Sequence, residues 1–226
     1  MAIVQSSYIP WKGYFDLIRA SDEFIFFDDT QYTRRDWRNR NRVKSRDGLL
    51  WLSIPVQTKG QYLSAIKDIL VVDTRWADSH WKTIAASYAR ATHFNRYRDL
   101  FAALYAGVNE RSLSEVNYRF IRAICELLGI STRLSRSSDY QLIEGKTERI
   151  VSLCRQAGAT RYLSGPSARD YLDAGAFASA GIELAFADYS RYPEYPQLHG
   201  SFEHQVSIVD LIFNAGPDAP RYLLEF

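Results

Sequence analysis

The sequence predicts an α/β protein: a mainly parallel, Rossmann-like sheet that carries a basic β-hairpin and a helical insertion. Three observations predict it. Extended apolar runs alternate with helical patterns through the last third of the chain, the order that builds parallel sheets. Two alternating runs flank Asp47-Gly48, a strong two-residue hairpin signal, so a hairpin is expected over about 37–56. Successive helical patterns fill about 74–129 with no strand between them. All 226 residues are read as one domain.

The elements follow in order. Ala2 to Gln5 is a short apolar strand, and after a polar loop containing Pro10, residues Gly13, Tyr14, Phe15, Leu17 and Ile18 recur at helical spacing. Glu23 to Asp28, rich in Phe and Ile, reads as a second buried strand ending at Asp28-Asp29. After the hairpin comes an apolar run, Ile69 to Val72, and then helical patterns at Thr74–Ala91, Phe94–Ala106 and Ser112–Leu128, the last stopped by Gly129. Thr132–Ser135, Arg161–Ser164 and Ile182–Ala187 are extended; Lys146–Ala157, Pro166–Ala180 and Phe202–Asn214 are helical between and after them. Tyr189 to Gln197, with its prolines and tyrosines, is an irregular loop.

Composition bounds the function. With 46% hydrophobic residues and 12 Phe, 15 Tyr and 5 Trp, the chain has ample material for a core, which excludes intrinsic disorder. Its two cysteines, Cys125 and Cys154, lie in separate helical patterns and form no Cys-x-x-Cys pair, so neither a metal cage nor a disulfide framework is expected. No basic leader opens the chain and no window reaches 18 apolar residues, so a cytoplasmic protein without membrane insertion is expected. The formal charge of +2 hides an asymmetry. Residues 34–46 hold seven basic residues and one acidic, leaving 21 basic and 25 acidic elsewhere. The hairpin is therefore a local cationic feature on an otherwise acidic chain.

That hairpin is the first candidate site. In a strand, alternate residues share a face, so Arg38, Arg40, Arg42, Lys44 and Arg46 are expected to form one cationic row, with Asn39, Asn41, Val43 and Ser45 opposite. Like charges in a row repel, and a phosphate-bearing ligand would relieve the repulsion; arginine's planar fork suits phosphate. The bland alternative is a solvated edge strand made basic against aggregation. The first loop is the second candidate, because Gln5, Tyr8, Trp11, Lys12 and Tyr14 crowd a strand-to-helix turn with aromatic surface for a sugar or base to stack on. Trp11 and Tyr14 are equally consistent with core.

Other positions carry single groups with chemistry. Asp28, Asp29 and Gln31 stand at the end of the second strand; adjacent carboxylates there point to opposite faces, so one of the two is expected near a site. His80 lies on a helical stripe with Trp76, Ile84 and Tyr88, where it is either a hydrogen-bonded core residue or a base poised near neutral pH. Asn117 and Asp210 interrupt apolar stripes and are read as polar anchors, Asp210 to the arginine row; Ser207 and Asp210 also have capping-box spacing. Cys154 is either a thioester nucleophile or a small core residue. Ser164-Gly165-Pro166-Ser167 forms a turn able to hold an anion, but it lacks the Gly-x-Ser-x-Gly elbow of hydrolases.

Taken together, Gln5, Tyr8-Ile9-Pro10-Trp11-Lys12-Gly13-Tyr14-Phe15-Asp16, Asp28-Asp29 with Gln31, and Trp37-Arg38-Asn39-Arg40-Asn41-Arg42 resemble the WbqC-like family. Trp51-Leu52-Ser53-Ile54-Pro55-Val56, His80, Tyr162-Leu163-Ser164-Gly165, Tyr195-Pro196-Gln197 and Ser207 to Gly216 agree with it, so the resemblance runs the length of the chain. Ser6-Ser7 departs from the family, which usually continues with proline after the glutamine. The resemblance implies a place among bacterial surface-polysaccharide and natural-product genes and a glycyl or other acyl transfer.

The expected function is thus acyl or aminoacyl transfer to a sugar or amine acceptor from a phosphate-bearing activated donor, such as a carrier-protein or coenzyme A thioester. In that picture a phosphopantetheine thioester is the donor, Arg38, Arg40 and Arg42 meet its phosphates, and Tyr8, Trp11, Tyr14 and Gln31 receive the acceptor. His80, then Asp29, is the candidate base, and Gln5 or Asn39 the oxyanion donor. The alternatives are a nucleotide-dependent enzyme and a non-catalytic binder of a carrier protein or nucleic acid, nucleic acid being the weakest. No metal is expected, and the oligomeric state is left open.

Overall fold

The computed structural model describes residues 1–61 and 63–226. In chain order its elements begin with β1 (Ala2–Val4), α1 (Lys12–Arg19) and β2 (Glu23–Phe26), followed by the hairpin strands β3 (Arg40–Ser45) and β4 (Gly48–Ser53). Three helices come next, α2 (Arg75–Tyr88), α3 (Phe94–Ala106) and α4 (Leu113–Leu128). The chain then alternates through β5 (Arg133–Arg136), α5 (Thr147–Gln156), β6 (Arg161–Ser164), α6 (Ala174–Ser179) and β7 (Glu183–Phe186), and α7 (Ile208–Ala215) follows.

This is a mixed α/β architecture with small parallel sheets. β1, β2 and β5 form one parallel sheet in the order β1-β2-β5, and β6 and β7 form a parallel pair. The two sheets meet through the N-terminus. Met1 donates its amino group to the Arg161 carbonyl at 2.8 Å and accepts from the Leu163 amide at 2.8 Å, the pattern of a parallel ladder around Tyr162. All four residues of β2 are buried, as a strand covered on both faces requires. On one side, Phe24, Phe26, Phe15 and Ile18 join the helical layer; on the other, Ile3, Ile25, Leu153 and Phe177 make a second cluster.

Several element boundaries differ from the sequence pattern for local reasons. The hairpin pairs Ser45 with Gly48, so its two turn residues are Arg46 and Asp47, and Gly48 (φ +114°) opens β4 rather than closing the turn. The helix expected over 166–180 is broken: a 3-10 turn ends at Asp170, and Asp173 caps α6 by accepting the Gly175 amide at 2.8 Å. The helix expected from Phe202 starts only at Ile208, because Ser207 Oγ accepts the Val209 amide at 3.3 Å. Ile69–Val72 makes isolated bridges instead of a strand. Gly129 ends α4 in the left-handed region at φ +70°, as its position predicts. Replacing Ser207 by Ala removes the cap of a wholly buried helix and is expected to lower stability by about 1 kcal/mol, read from the urea midpoint.

Among the described residues no helix is long and apolar enough to cross a membrane.

Candidate functional site

The site is built on the loop that leaves β1. Ile9 has φ +35°, a left-handed conformation that a β-branched residue adopts only under constraint. The constraint is Asn41 of β3, 2% exposed, whose Nδ2 donates to the carbonyls of Tyr8 at 3.1 Å and Ile9 at 3.0 Å. Upstream, Arg38 Nη1 donates to the carbonyls of Gln5 and Ser6 at 2.9 and 3.0 Å. The Ser6 amide donates to Asp28 Oδ1 at 2.7 Å. Asn117 Nδ2 reaches both Ser6 Oγ and the Arg38 carbonyl, each at 2.9 Å. Asn41, Arg38 and Asp28 thus satisfy loop main-chain groups that a buried segment could not otherwise pair, and Asn117 ties the Ser6 hydroxyl to the hairpin root.

This loop forms one wall of a cavity of about 770 Å³. The cavity opens at the C-terminal ends of β1 and β6, where Gln5 and Ser164-Gly165 sit. Trp11, Tyr14, Tyr162, Tyr171 and Tyr189 supply aromatic surface. Trp11 is fixed by Tyr189 edge-on at 5.0 Å and lies over Gly13, where any Cβ would run into the indole. Cations stand at two places on the wall. Arg38 is at the loop end, and Lys146 and Arg149 are at the start of α5, beside the Ser164–Ser167 turn. No Asp, Glu, His or Cys is among the described lining residues.

The structure brings together some of the expected site residues and separates others. Gln5, Trp11, Tyr14 and Arg38 line the cavity, with the Gln5 Nε2 donating to Thr30 Oγ1 at 3.1 Å and the Tyr14 hydroxyl to the Gln5 carbonyl at 3.1 Å. Tyr8 and His80 do not line it. They form a buried core pair, the Tyr8 hydroxyl lying 2.9 Å from His80 Nδ1 and 2.7 Å from the Tyr105 hydroxyl. Burial pushes the His80 pKa down to about 4, outweighing a main-chain contact from Ser53, so the imidazole is neutral at physiological pH. Asp29 also lies outside the cavity, paired with Lys67 and accepting from Ser137 Oγ at 2.6 Å. Asn39 belongs to the hairpin root: it accepts from the Tyr32 hydroxyl and donates to the Ile54 carbonyl. Gln31 makes an isolated bridge with Ala65.

Of the row expected, Arg40, Arg42 and Lys44 share a side of β3, whereas Arg38 precedes the strand and Arg46 lies in the turn. Arg38 turns inward to the loop. Arg40 stacks on Trp51 at 4.2 Å, and Arg42 Nη2 donates to the Gln205 carbonyl at 2.9 Å. Lys44 is buried, donating to Gln197 Oε1 at 2.6 Å and to the Ser201 carbonyl. Asp210 does not meet the arginines. It accepts from the Tyr88 and Tyr195 hydroxyls at 2.9 and 2.8 Å and from Gln197 Nε2 at 2.9 Å, and Tyr88 in turn accepts the Lys44 amide. Asp210 thus anchors the hairpin from below, while burial raises its pKa. Cys154 is fully buried, its thiol is pushed up to about 12 by that burial, and it is not among the described residues that line the cavity.

Lys146, Arg149, Tyr171 and Tyr189 are the lining residues that the sequence pattern did not single out. The available signal was the start of a helical pattern, directly after Gly145, with two cations in its first turn. Among the described residues no group of three His, Cys, Asp or Glu side chains is placed to hold a metal.

Comparison with known proteins gives one family and one relative. The model of the WbqC-like protein family matches residues 5–222. The chain is 52% identical over 223 residues to an uncharacterized protein of Mycobacterium tuberculosis, Rv1507c, the match covering 99% of this chain and 96% of that one. No solved structure matches significantly.

Proposed function

The chain belongs to the WbqC-like protein family, and from that premise we propose that its cavity holds the phosphate-bearing activated donor of an acyl or aminoacyl transfer to an amine or a sugar hydroxyl. The observation that carries this reading is the charge of the cavity wall: Arg38, Lys146 and Arg149 face it, and no carboxylate does among the described residues. An anion is the ligand such a wall selects. The start of α5, at Lys146 and Thr147, adds main-chain N–H groups that favour negative charge.

Topology supports the same reading. Read as one sheet joined through Met1, the strands follow the order β5-β2-β1-β6-β7, which fits a Rossmann-like arrangement in which the chain runs outward from β1 in one direction and later from β6 in the other. Ligands of such sheets bind outside the carboxyl ends of the strands where that direction changes, and the cavity sits between those ends of β1 and β6. The aromatic surface from Trp11, Tyr171 and Tyr189 suits a base or a thin pantetheine arm.

The chemistry needs little from the wall. The acceptor amine forms a bond to the thioester carbonyl carbon, the C–S bond breaks, and the departing thiolate takes the proton that the nitrogen loses. This route uses no histidine or carboxylate base, in keeping with a wall that has neither. Gln5 is the candidate oxyanion donor: one amide N–H is bound to Thr30, and among the described residues the second has no hydrogen-bond partner, so it can meet the developing charge.

Calorimetry with coenzyme A tests the reading. The double variant Lys146→Ala, Arg149→Ala is expected to bind at least about tenfold more weakly, since each charge-assisted phosphate contact is worth on the order of 1.4 kcal/mol or more. Its melting curve is expected to stay close to the wild type, because Lys146 is exposed and the partners of Arg149, the Ile143 carbonyl and Glu144, belong to exposed residues. Unchanged affinity would remove the α5 cations from the site. Release of thiol from an acyl-coenzyme A in the presence of an amino sugar reads the transfer itself.

A further inference from the structure

We propose that the outer face of the hairpin docks a small acidic carrier protein, which delivers the donor arm into the cavity; this rests on the cavity being the donor site. The face is one surface. β3 and β4 pair Arg42 with Trp51 and Lys44 with Leu49, so Arg40, Arg42, Leu49 and Trp51 share a side of the ribbon. Trp37 packs on it, its ring 5.5 Å from that of Trp51, and Arg42 lies within 5.7 Å of both rings. Trp51, Trp37 and Leu49 are 46%, 39% and 38% exposed, large apolar side chains left open beside arginines.

The arginines are held ready for an acidic partner. Arg40 is stacked on Trp51 with Nη2 donating to the Arg35 carbonyl, and Arg42 is tied to Gln205. Stacking fixes each guanidinium plane; Nε of each is buried, so the donors left for carboxylates are the Nη groups beyond the bonds to Arg35 and Gln205. Among the described residues neither Arg40 nor Arg42 is paired with a carboxylate; in residues 34–46 the one acid, Asp36, is engaged by Thr33, the Trp37 amide and Arg38. An unpaired cationic fork next to exposed Trp and Leu matches an amphipathic helix with acidic and apolar residues side by side.

Continuity with the cavity chooses the occupant. Trp37 belongs both to this face and to the cavity wall, and Gln205, which Arg42 grips, lines the cavity too. Whatever docks on the hairpin therefore sits on the rim of the donor site. The basic surface is a single hairpin on a chain whose remaining residues carry 21 basic against 25 acidic groups, so a long polyanion would meet repulsion beyond it. A compact acidic protein meets only the hairpin.

The test is calorimetry of wild type, Arg40→Glu/Arg42→Glu and Leu49→Asp with a holo-acyl carrier protein, its apo form, coenzyme A and a single-stranded oligoribonucleotide. Both variants are expected to lose at least about tenfold in affinity for the holo carrier, and Leu49→Asp to keep its coenzyme A affinity; wild-type carrier binding is expected to weaken with salt. Leu49→Asp leaves the ties of Arg40 and Arg42 intact, so it answers the question even if the charge reversal disturbs the hairpin. Carrier binding that is unchanged in Leu49→Asp, or absent while coenzyme A binds, would overturn the docking face and leave the cavity reading standing. Oligoribonucleotide binding that the variants lose, without carrier binding, would overturn it in favour of nucleic acid. If wild type bound no coenzyme A and did not distinguish holo from apo carrier, the donor reading would fail and this proposal with it.

Discussion

Asn41→Ala is expected to lower stability by about 3–4 kcal/mol and to abolish donor binding. The side chain is buried and spends every polar atom: two donations from Nδ2 to the carbonyls of Tyr8 and Ile9, and one acceptance by Oδ1 from the Arg42 amide. Alanine leaves those main-chain groups buried without a partner, at about 1–3 kcal/mol for each that water cannot reach. It also removes the clasp on Ile9, whose φ of +35° stores strain of order 1–3 kcal/mol that relaxes once the clasp is gone. Relaxation moves Ser7, Pro10 and Trp11, all on the cavity wall, and so converts a stability loss into a binding loss. Asn41→Asp is the discriminating control. It preserves shape and the acceptor for Arg42 but sets a carboxylate against two carbonyls, so it is expected to be worse than alanine. An aspartate variant as stable as wild type would show that the amide does not hold the loop.

The order of elements was legible because each carries its own periodicity, and β6 and α3 fall on the residues their patterns mark. The helix boundaries at Asp173 and Ser207 were not, since a single capping side chain overrides an apolar pattern that continues through it. At the site, the first loop and Arg38 were legible from crowding of polar and aromatic residues. The arginine row was legible only from Arg40 to Lys44, because alternation assigns one face only within a strand, and β3 begins at Arg40, after Arg38 has already turned inward. Asn39 and Asn41 prove to be the structural half of the Asn-Arg-Asn-Arg segment, holding the hairpin root and the loop respectively. His80 and Tyr8 looked like site residues individually; their pairing in the core depends on a contact 72 residues apart that no local pattern carries. Lys146 and Arg149 escaped notice for the same reason, as only the junction of β1 with β6 brings α5 to the first loop.

Between pH 6.5 and 4 the wild-type protein is expected to show little change in stability from two buried groups that, taken singly, would each change it by about 3 kcal/mol. Burial holds His80 at a pKa of about 4, below its usual 6.5, so on acidification the unfolded chain takes the proton first. Its contribution is complete above pH 6.5 and is lost as pH falls toward 4. Asp16 has the opposite sign. It is buried, accepting from the Tyr192 hydroxyl and the Leu224 amide, and burial raises its carboxyl to about 6 from the usual 3.8. The folded chain takes that proton first, so the penalty of a buried carboxylate is present above pH 6 and relieved as pH falls toward 3.8. The two windows overlap from about pH 6 to 4, where the effects offset. Asp16→Asn keeps Oδ1 as acceptor for the Leu224 amide and turns Nδ2 toward the Tyr192 hydroxyl, which can accept from it, while removing the titration, and it is expected to expose the histidine's loss. Urea unfolding at intervals from pH 6.5 to 4 should show this variant losing about 3 kcal/mol relative to wild type across the window. His80→Gln should show the reverse slope, gaining relative to wild type as pH falls from 6 to 4. Parallel wild-type and Asp16→Asn curves would mean that Asp16 does not titrate in this range, and that the tie it makes between α1 and the C-terminal residues is that of an ordinary ionised carboxylate.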